Sequence, residues 1–103
     1  MKTPIACSLN QAQFAERVQL ANRLAQQALE RRDLPEGVSI RFESLPGRMA
    51  ELARFVELER ACCPFLTFRI DAPAGGDILL ELTGPADAQQ IIRTLVHTST
   101  PSC

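Results

Sequence analysis

Two short segments of strict apolar alternation constrain this chain more than any other feature. Leu66, Phe68 and Ile70 alternate with Thr67, Arg69 and Asp71. Ile78, Leu80 and Leu82 repeat the pattern beyond the run Pro73-Ala74-Gly75-Gly76. Period-two patterning on both sides of a glycine-containing turn predicts a β-hairpin with one buried face. Val38, Ile40 and Phe42, set against Ser39, Arg41 and Glu43, predict a further half-buried strand.

Elsewhere the period changes to that of a helix. A first helix is expected from about Gln11 to Arg32. Asn10 followed by Gln13 has the form of a capping box, each side chain reaching the other's backbone amide. Phe14, Val18, Ala21, Ala25 and Ala28 recur at helical spacing, with Leu24 and Leu29 beside them. Arg31 and Arg32 then complement the dipole in the last turn, and Asp33-Leu34-Pro35-Glu36-Gly37 ends the element. Ser44-Leu45-Pro46-Gly47 opens a second helix to about Ala61, limited by Pro64. Gly84-Pro85 opens a last helix whose buried stripe is Ile91, Ile92, Leu95 and Val96. From Gly37 onward the order is strand, helix, strand, strand, helix. This predicts the α+β class, a ferredoxin-like antiparallel sheet with helices on one face, short of its last strand. Residues 4–9, with Ile5, Cys7 and Leu9 in one phase, would supply a further strand in permuted order, the long N-terminal helix being an addition.

The 103 residues suit a single domain, 1–103. That length buries a core without disulfides or a structural metal, which become near-obligatory only below about 40 residues. Eleven basic against twelve acidic residues leave no electrostatic footprint for nucleic acid or an anionic membrane. One His, no Trp and no Tyr exclude most metalloenzyme patterns and stacking platforms built on Trp or Tyr, the five Phe reading as core without a basic groove, and no fingerprint of an organic cofactor is present. No stretch approaches the roughly 18 apolar residues of a membrane span. The amino terminus has one Lys and no sustained apolar run, unlike a signal peptide. The expected location is cytoplasmic, where thiols stay reduced and a paired-disulfide reading is disfavoured. The unusual chemical asset that remains is a set of four cysteines.

Cys62 and Cys63 fall at the end of the second predicted helix. Advancing 100° per residue, Met49, Leu52 and Val56 define an apolar arc that also holds Cys63, with Phe55 at its edge and Cys62 just beyond. Glu59 lies angularly between the two thiols, while Arg54 and Glu57 face elsewhere. A carboxylate inside an apolar sector is costly without a partner, so packing alone would not select it. The helix end does not activate the thiols, because its partial negative charge opposes thiolate formation. Coordination of a soft cation would deprotonate them outright. Adjacent cysteines close a disulfide only with a strained ring, so a redox pair of the C-x-x-C kind is not the pattern here. Neighbouring thiolates plus a third suit Zn(II), Cu(I), Hg(II) or As(III). Cys7 is the candidate third ligand and Glu59 a base or proton acceptor beside the metal. Topology opposes Cys7: a helix of about 20 residues spans roughly 30 Å and the following link reaches at most about 17 Å, which would leave Cys7 at the opposite sheet end.

Glu59-Arg60-Ala61-Cys62-Cys63-Pro64-Phe65, read as E-R-x-C-C-P-F, together with Ile5-Ala6-Cys7, resembles a group of small uncharacterised bacterial proteins carrying that signature. The resemblance covers most of the chain. It implies no activity, only that Cys7, Glu59, Cys62 and Cys63 are the positions that match, with Cys103 outside the pattern.

Three functions compete. The first is a small thiol protein that binds a soft metal or metalloid ion as sensor, buffer or delivery partner. The second is an enzyme with a cysteine nucleophile and Glu59 as base, although no nearby His, oxyanion motif or cofactor fingerprint supports it. The third is a non-catalytic interaction module or homodimer, suggested by Leu79 on the outward phase of its strand. Against all three stands a bland reading. Buried cysteine often acts as a small hydrophobe, Glu59 can bond to backbone amides or to an Arg, and His97 suits the end of the last predicted helix.

Overall fold

The computed structural model describes residues 8–86. The elements, in chain order, are α1 (Gln11–Gln27), β1 (Glu30–Leu34), β2 (Gly37–Phe42), α2 (Arg48–Cys62), β3 (Thr67–Asp71) and β4 (Ile78–Thr83). The last predicted helix beyond its opening residues 84–86, His97, Cys103 and all of the proposed 4–9 strand except Ser8 and Leu9 lie outside the described residues; Ser8 and Leu9 are in no strand.

The sheet is antiparallel throughout, in the order β1-β2-β4-β3. The hairpin read from the alternation is present: Phe68 pairs with Leu82 and Ile70 with Leu80. β4 pairs on its other side with β2, setting Val38 beside Leu82, Ile40 beside Leu80 and Phe42 beside Ile78. These cross-strand rows make one continuous apolar face. Leu20, Ala21 and Leu24 of α1 and Leu52, Phe55 and Leu58 of α2 bury against it. The architecture is α+β, a four-stranded antiparallel sheet and two helices, compatible with a ferredoxin-like arrangement. In particular β2, α2 and β3 form a split β-α-β unit with β4 inserted between its strands. Among the described residues no helix is long and apolar enough to cross a membrane.

The first helix departs from expectation. Its capping box is present, with Asn10 Oδ1 accepting from the Gln13 amide at 2.8 Å and Gln13 Oε1 accepting from the Asn10 amide at 3.0 Å. It ends at Gln27, however, and Glu30–Leu34 form an edge strand paired to β2 around the two-residue turn Pro35-Glu36. Left without β1, the outer edge of β2 would carry unpaired amides and carbonyls. A five-residue ladder, extended by the bond from the Leu29 amide to the Arg41 carbonyl, outweighs the few tenths of a kcal/mol per residue of helix propensity in this segment. Arg31 still serves the helix, donating from Nη2 to the Ala25 carbonyl at 3.0 Å, but from the strand. On α2 the buried residues are Arg48, Leu52, Phe55, Leu58, Glu59 and Cys62. Met49, expected in the apolar arc, is exposed, and Val56 is half-buried. Leu79 is likewise half-buried.

Gly37 starts the central strand where two backbones approach closely. A Cβ there would overlap the Leu82 carbonyl oxygen and crowd the Thr83 Cα, both backbone atoms that cannot turn aside. Gly37→Ala is therefore expected to lose at least about 1–3 kcal/mol in urea unfolding. Gly76→Ala, which meets only the Pro73 ring at 3.1 Å, serves as the mild control.

The solvent side of the helix pair is clamped by Arg54, which donates to both Glu16 oxygens at 2.8 and 2.9 Å and to Glu57 at 2.6 Å. Hydrogen bonding to Arg54 holds the Glu16 carboxyl below its ordinary value of 4.5. A carboxyl lowered in the folded state adds stability above its unfolded value, and that stability is lost as pH falls through the folded one. The acid limb of urea stability below about pH 4.5 is accordingly expected to be shallower in Glu16→Gln than in the parent.

Candidate functional site

The candidate site forms where the C-terminal end of α2 meets α1. Cys62 is the last residue of α2 and Cys63 its C-cap, with φ −126° and ψ 68°. The Cys63 amide donates to the Glu59 carbonyl at 2.6 Å, closing the final turn, and the Cys63 carbonyl accepts from Leu66 at 3.1 Å. Pro64 cannot continue the helix, so the chain turns at Pro64-Phe65 into β3.

The side chains of Glu59, Cys62 and Cys63 are fully buried, at 0% exposure. Glu59 thus points inward, as its helical phase predicted, and its partner is Arg17 of α1, also at 0%. Arg17 Nε donates to Glu59 Oε2 at 2.5 Å and Nη2 to Oε1 at 3.0 Å, a forked pair using both carboxylate oxygens. The same Nη2 lies 3.7 Å from Cys63 Sγ, and Glu59 Oε1 is also 3.7 Å from that sulfur. The guanidinium carbon sits 5.7 Å from the centre of the Phe14 ring. Arg17 Nη1 is buried and has no hydrogen-bond partner.

Both sulfurs are disulfide-bonded and no described cysteine is a free thiol. This differs from the expectation of reduced thiols, which rested on compartment chemistry and on the strained ring of a disulfide between adjacent cysteines. Cys7 and Cys103 lie outside the described residues. The residue after Cys7 is informative: Ser8 donates from its amide to the Ala61 carbonyl at 3.2 Å and from its hydroxyl to the same oxygen at 3.0 Å. Ser8 therefore lies at the α2 terminus. The topological objection assumed a helix to Arg32 joined directly to β2, and the intervening β1 removes that premise.

Among the described residues no three of His, Cys, Asp and Glu converge as a metal-binding cluster. Cys62 and Cys63 adjoin, and Glu59 is engaged by Arg17 rather than held ready as a base. A shallow cleft lined by Ala53, Val56, Glu57, Arg60, Ala61 and Pro64 includes none of Arg17, Glu59, Cys62 and Cys63. Arg17 is the residue that sequence reading missed, since an arginine within the helical repeat reads as solvated. Its signal was nevertheless present: Arg17, Leu20, Ala21 and Leu24 fall at the i, i+3, i+4, i+7 spacing of a buried stripe. The chain matches no family model, no curated protein and no solved structure.

Removing one partner of a buried ion pair leaves the other charge uncompensated, at a cost of about 3–5 kcal/mol. Glu59→Gln and Arg17→Met are each expected to lose stability on that scale in denaturant unfolding. The double variant Arg17→Met/Glu59→Leu is expected to recover most of it, because an apolar pair of similar volume carries no desolvation cost.

Proposed function

We propose that the reduced protein binds a soft metal or metalloid ion through the neighbouring thiolates of Cys62 and Cys63. The disulfide-bonded form is then its oxidised, closed state. The observation that carries this reading is the forked Arg17–Glu59 pair buried against the Cys63 sulfur. A cysteine used only as a small hydrophobe has no need of a desolvated charge pair beside it. Thiolate donors select thiophilic ions, with Zn(II), Cu(I), Hg(II) and As(III) as the candidates. Cys7 is the proposed third donor, supported by the hydrogen bonds that hold its neighbour Ser8 to Ala61. Glu59 acts indirectly, by fixing Arg17, and not as a ligand.

An enzyme built on a cysteine nucleophile fits less well, since both sulfurs are sealed from solvent and Glu59 is already bonded through both oxygens. On this reading the protein works in a reducing compartment, the cytoplasm, where the thiol form persists. Its scaffold is a permuted ferredoxin-like domain in which α1 and β1 precede the split β-α-β unit.

The test is an anaerobic titration of the dithiol-reduced full chain with Cd(II), followed by sulfur-to-metal absorption in the ultraviolet. Saturable binding is expected, together with release of protons from the thiols, and a loss of at least about 100-fold in affinity in Cys62→Ser/Cys63→Ser. Equal affinity in the two proteins would dismiss the reading.

A further inference from the structure

Every side-chain hydrogen bond that Arg17 makes goes to Glu59 or Cys63, and one end of its guanidinium is left over. Nη1 is buried without an acceptor in a side chain at 0% exposure. A desolvated charged N–H with nothing to bond is costly, and such orphans in native proteins call for an explanation. Nη1 shares its carbon with Nη2, which lies 3.7 Å from the Cys63 sulfur. We take an oxygen carried by a group bound at that sulfur as the acceptor for Nη1. A bare Zn(II), Cu(I) or Hg(II) ion bound only by sulfur brings no such atom. A trivalent arsenic that keeps one hydroxyl does.

We infer that the site receives arsenite as a hydroxo-arsenic(III) group bound to the sulfurs of Cys62 and Cys63, with its remaining oxygen accepting a hydrogen bond from Arg17 Nη1. The inference rests on reduced Cys62 and Cys63 acting as soft donors. A dithiol first reduces the disulfides, giving two electrons and two protons to each and becoming a disulfide itself. Arsenous acid, As(OH)3, then exchanges two As–O bonds for two As–S bonds. Each thiol proton leaves with a displaced hydroxide as water, and arsenic stays trivalent. Three-coordinate arsenic is completed by two sulfurs and one oxygen, the oxygen taking the place that Cys7 fills as third donor to the metal ions. The guanidinium adds charge assistance to the oxygen contact, and Glu59, holding the other two nitrogens, keeps the fork in place.

Three probes separate this from the parent reading when applied to the reduced full chain: arsenite, phenylarsine oxide and Cd(II). Phenylarsine oxide spends its oxygen on binding two thiols and leaves none for Arg17. Arg17→Lys keeps a cation opposite Glu59 but removes the fork. Arsenite affinity is expected to fall about tenfold or more in Arg17→Lys, the scale of one charge-assisted hydrogen bond, with phenylarsine oxide and Cd(II) changed less than about threefold. Equal losses for arsenite and phenylarsine oxide would make Arg17 a merely structural residue and overturn the inference. Arsenic-edge X-ray absorption on the unaltered chain decides independently of how the variant folds. Two As–S and one As–O contacts support the inference, and three As–S contacts overturn it. Cd(II) binding without arsenite binding refutes the arsenite site and leaves the soft-ion reading standing. Binding of neither refutes both.

Discussion

The packing of α1 on α2 depends on a charge pair that water never reaches. Arg17 and Glu59 are both at 0% exposure, so each gave up its hydration, at several kcal/mol per ion. The forked geometry and the low dielectric around it offset that cost. It also makes the contact intolerant of misplacement, because a shifted guanidinium would leave both charges unsatisfied. Apolar residues of similar volume would fill the same space without this penalty. The pair is therefore poorly explained by stability alone, and its contact with Cys63 gives it a chemical context.

The same pair sets the direction of the helices. Ser8 meets Ala61, Arg17 meets Glu59 and Arg23 meets Glu51 at 2.6 Å. Rising residue numbers on α1 thus accompany falling ones on α2, an antiparallel arrangement. It brings the start of α1 to the end of α2 and so sets Ser8 beside Ala61. The β1-β2 hairpin makes this compatible with the sheet: it completes the outer edge of β2 and lets α1 lie over the apolar face. Fold and site are linked through one short strand whose sequence, Glu-Arg-Arg-Asp-Leu, carries almost no apolar signal.

That strand shows where sequence reading ends. The β3-β4 hairpin, β2, the capping box and the inward turn of Glu59 were all legible, because each depends on local periodicity or on a fixed spacing of side-chain types. β1 was not, since its burial pattern is almost wholly exposed and its pairing comes from the open edge of a strand brought to it by the chain's fold. Arg17 was half-legible. Its phase on α1 matches the buried stripe, but an arginine there looks solvated until a carboxylate from a different helix is known to face it. Glu59 on α2 carried the complementary clue, a charge inside an apolar arc that required a partner. Read together, two misplaced charges of opposite sign on two amphipathic helices predict each other, and neither does so alone. Met49 failed for the converse reason: being apolar, it was assigned to the arc, although the helix lies with Leu58 rather than Met49 toward the sheet.

Electroneutrality then limits what the sulfurs can do. Arg17 and Glu59 cancel, so two thiolates added at the same buried point would carry two uncompensated negative charges, which a low-dielectric interior resists strongly. Three states avoid that: two protonated thiols, sulfurs oxidised to disulfides, or thiolates neutralised by a bound cation. The structure holds the second. On the proposed reading the third replaces it after reduction, and the protons displaced make binding tighten as pH rises. Oxidation and coordination are then alternative routes to the same neutral interior, selected by the redox poise and the soft ions around the protein. The ion pair stays in place throughout, a fixed frame against which the sulfurs exchange one partner for another.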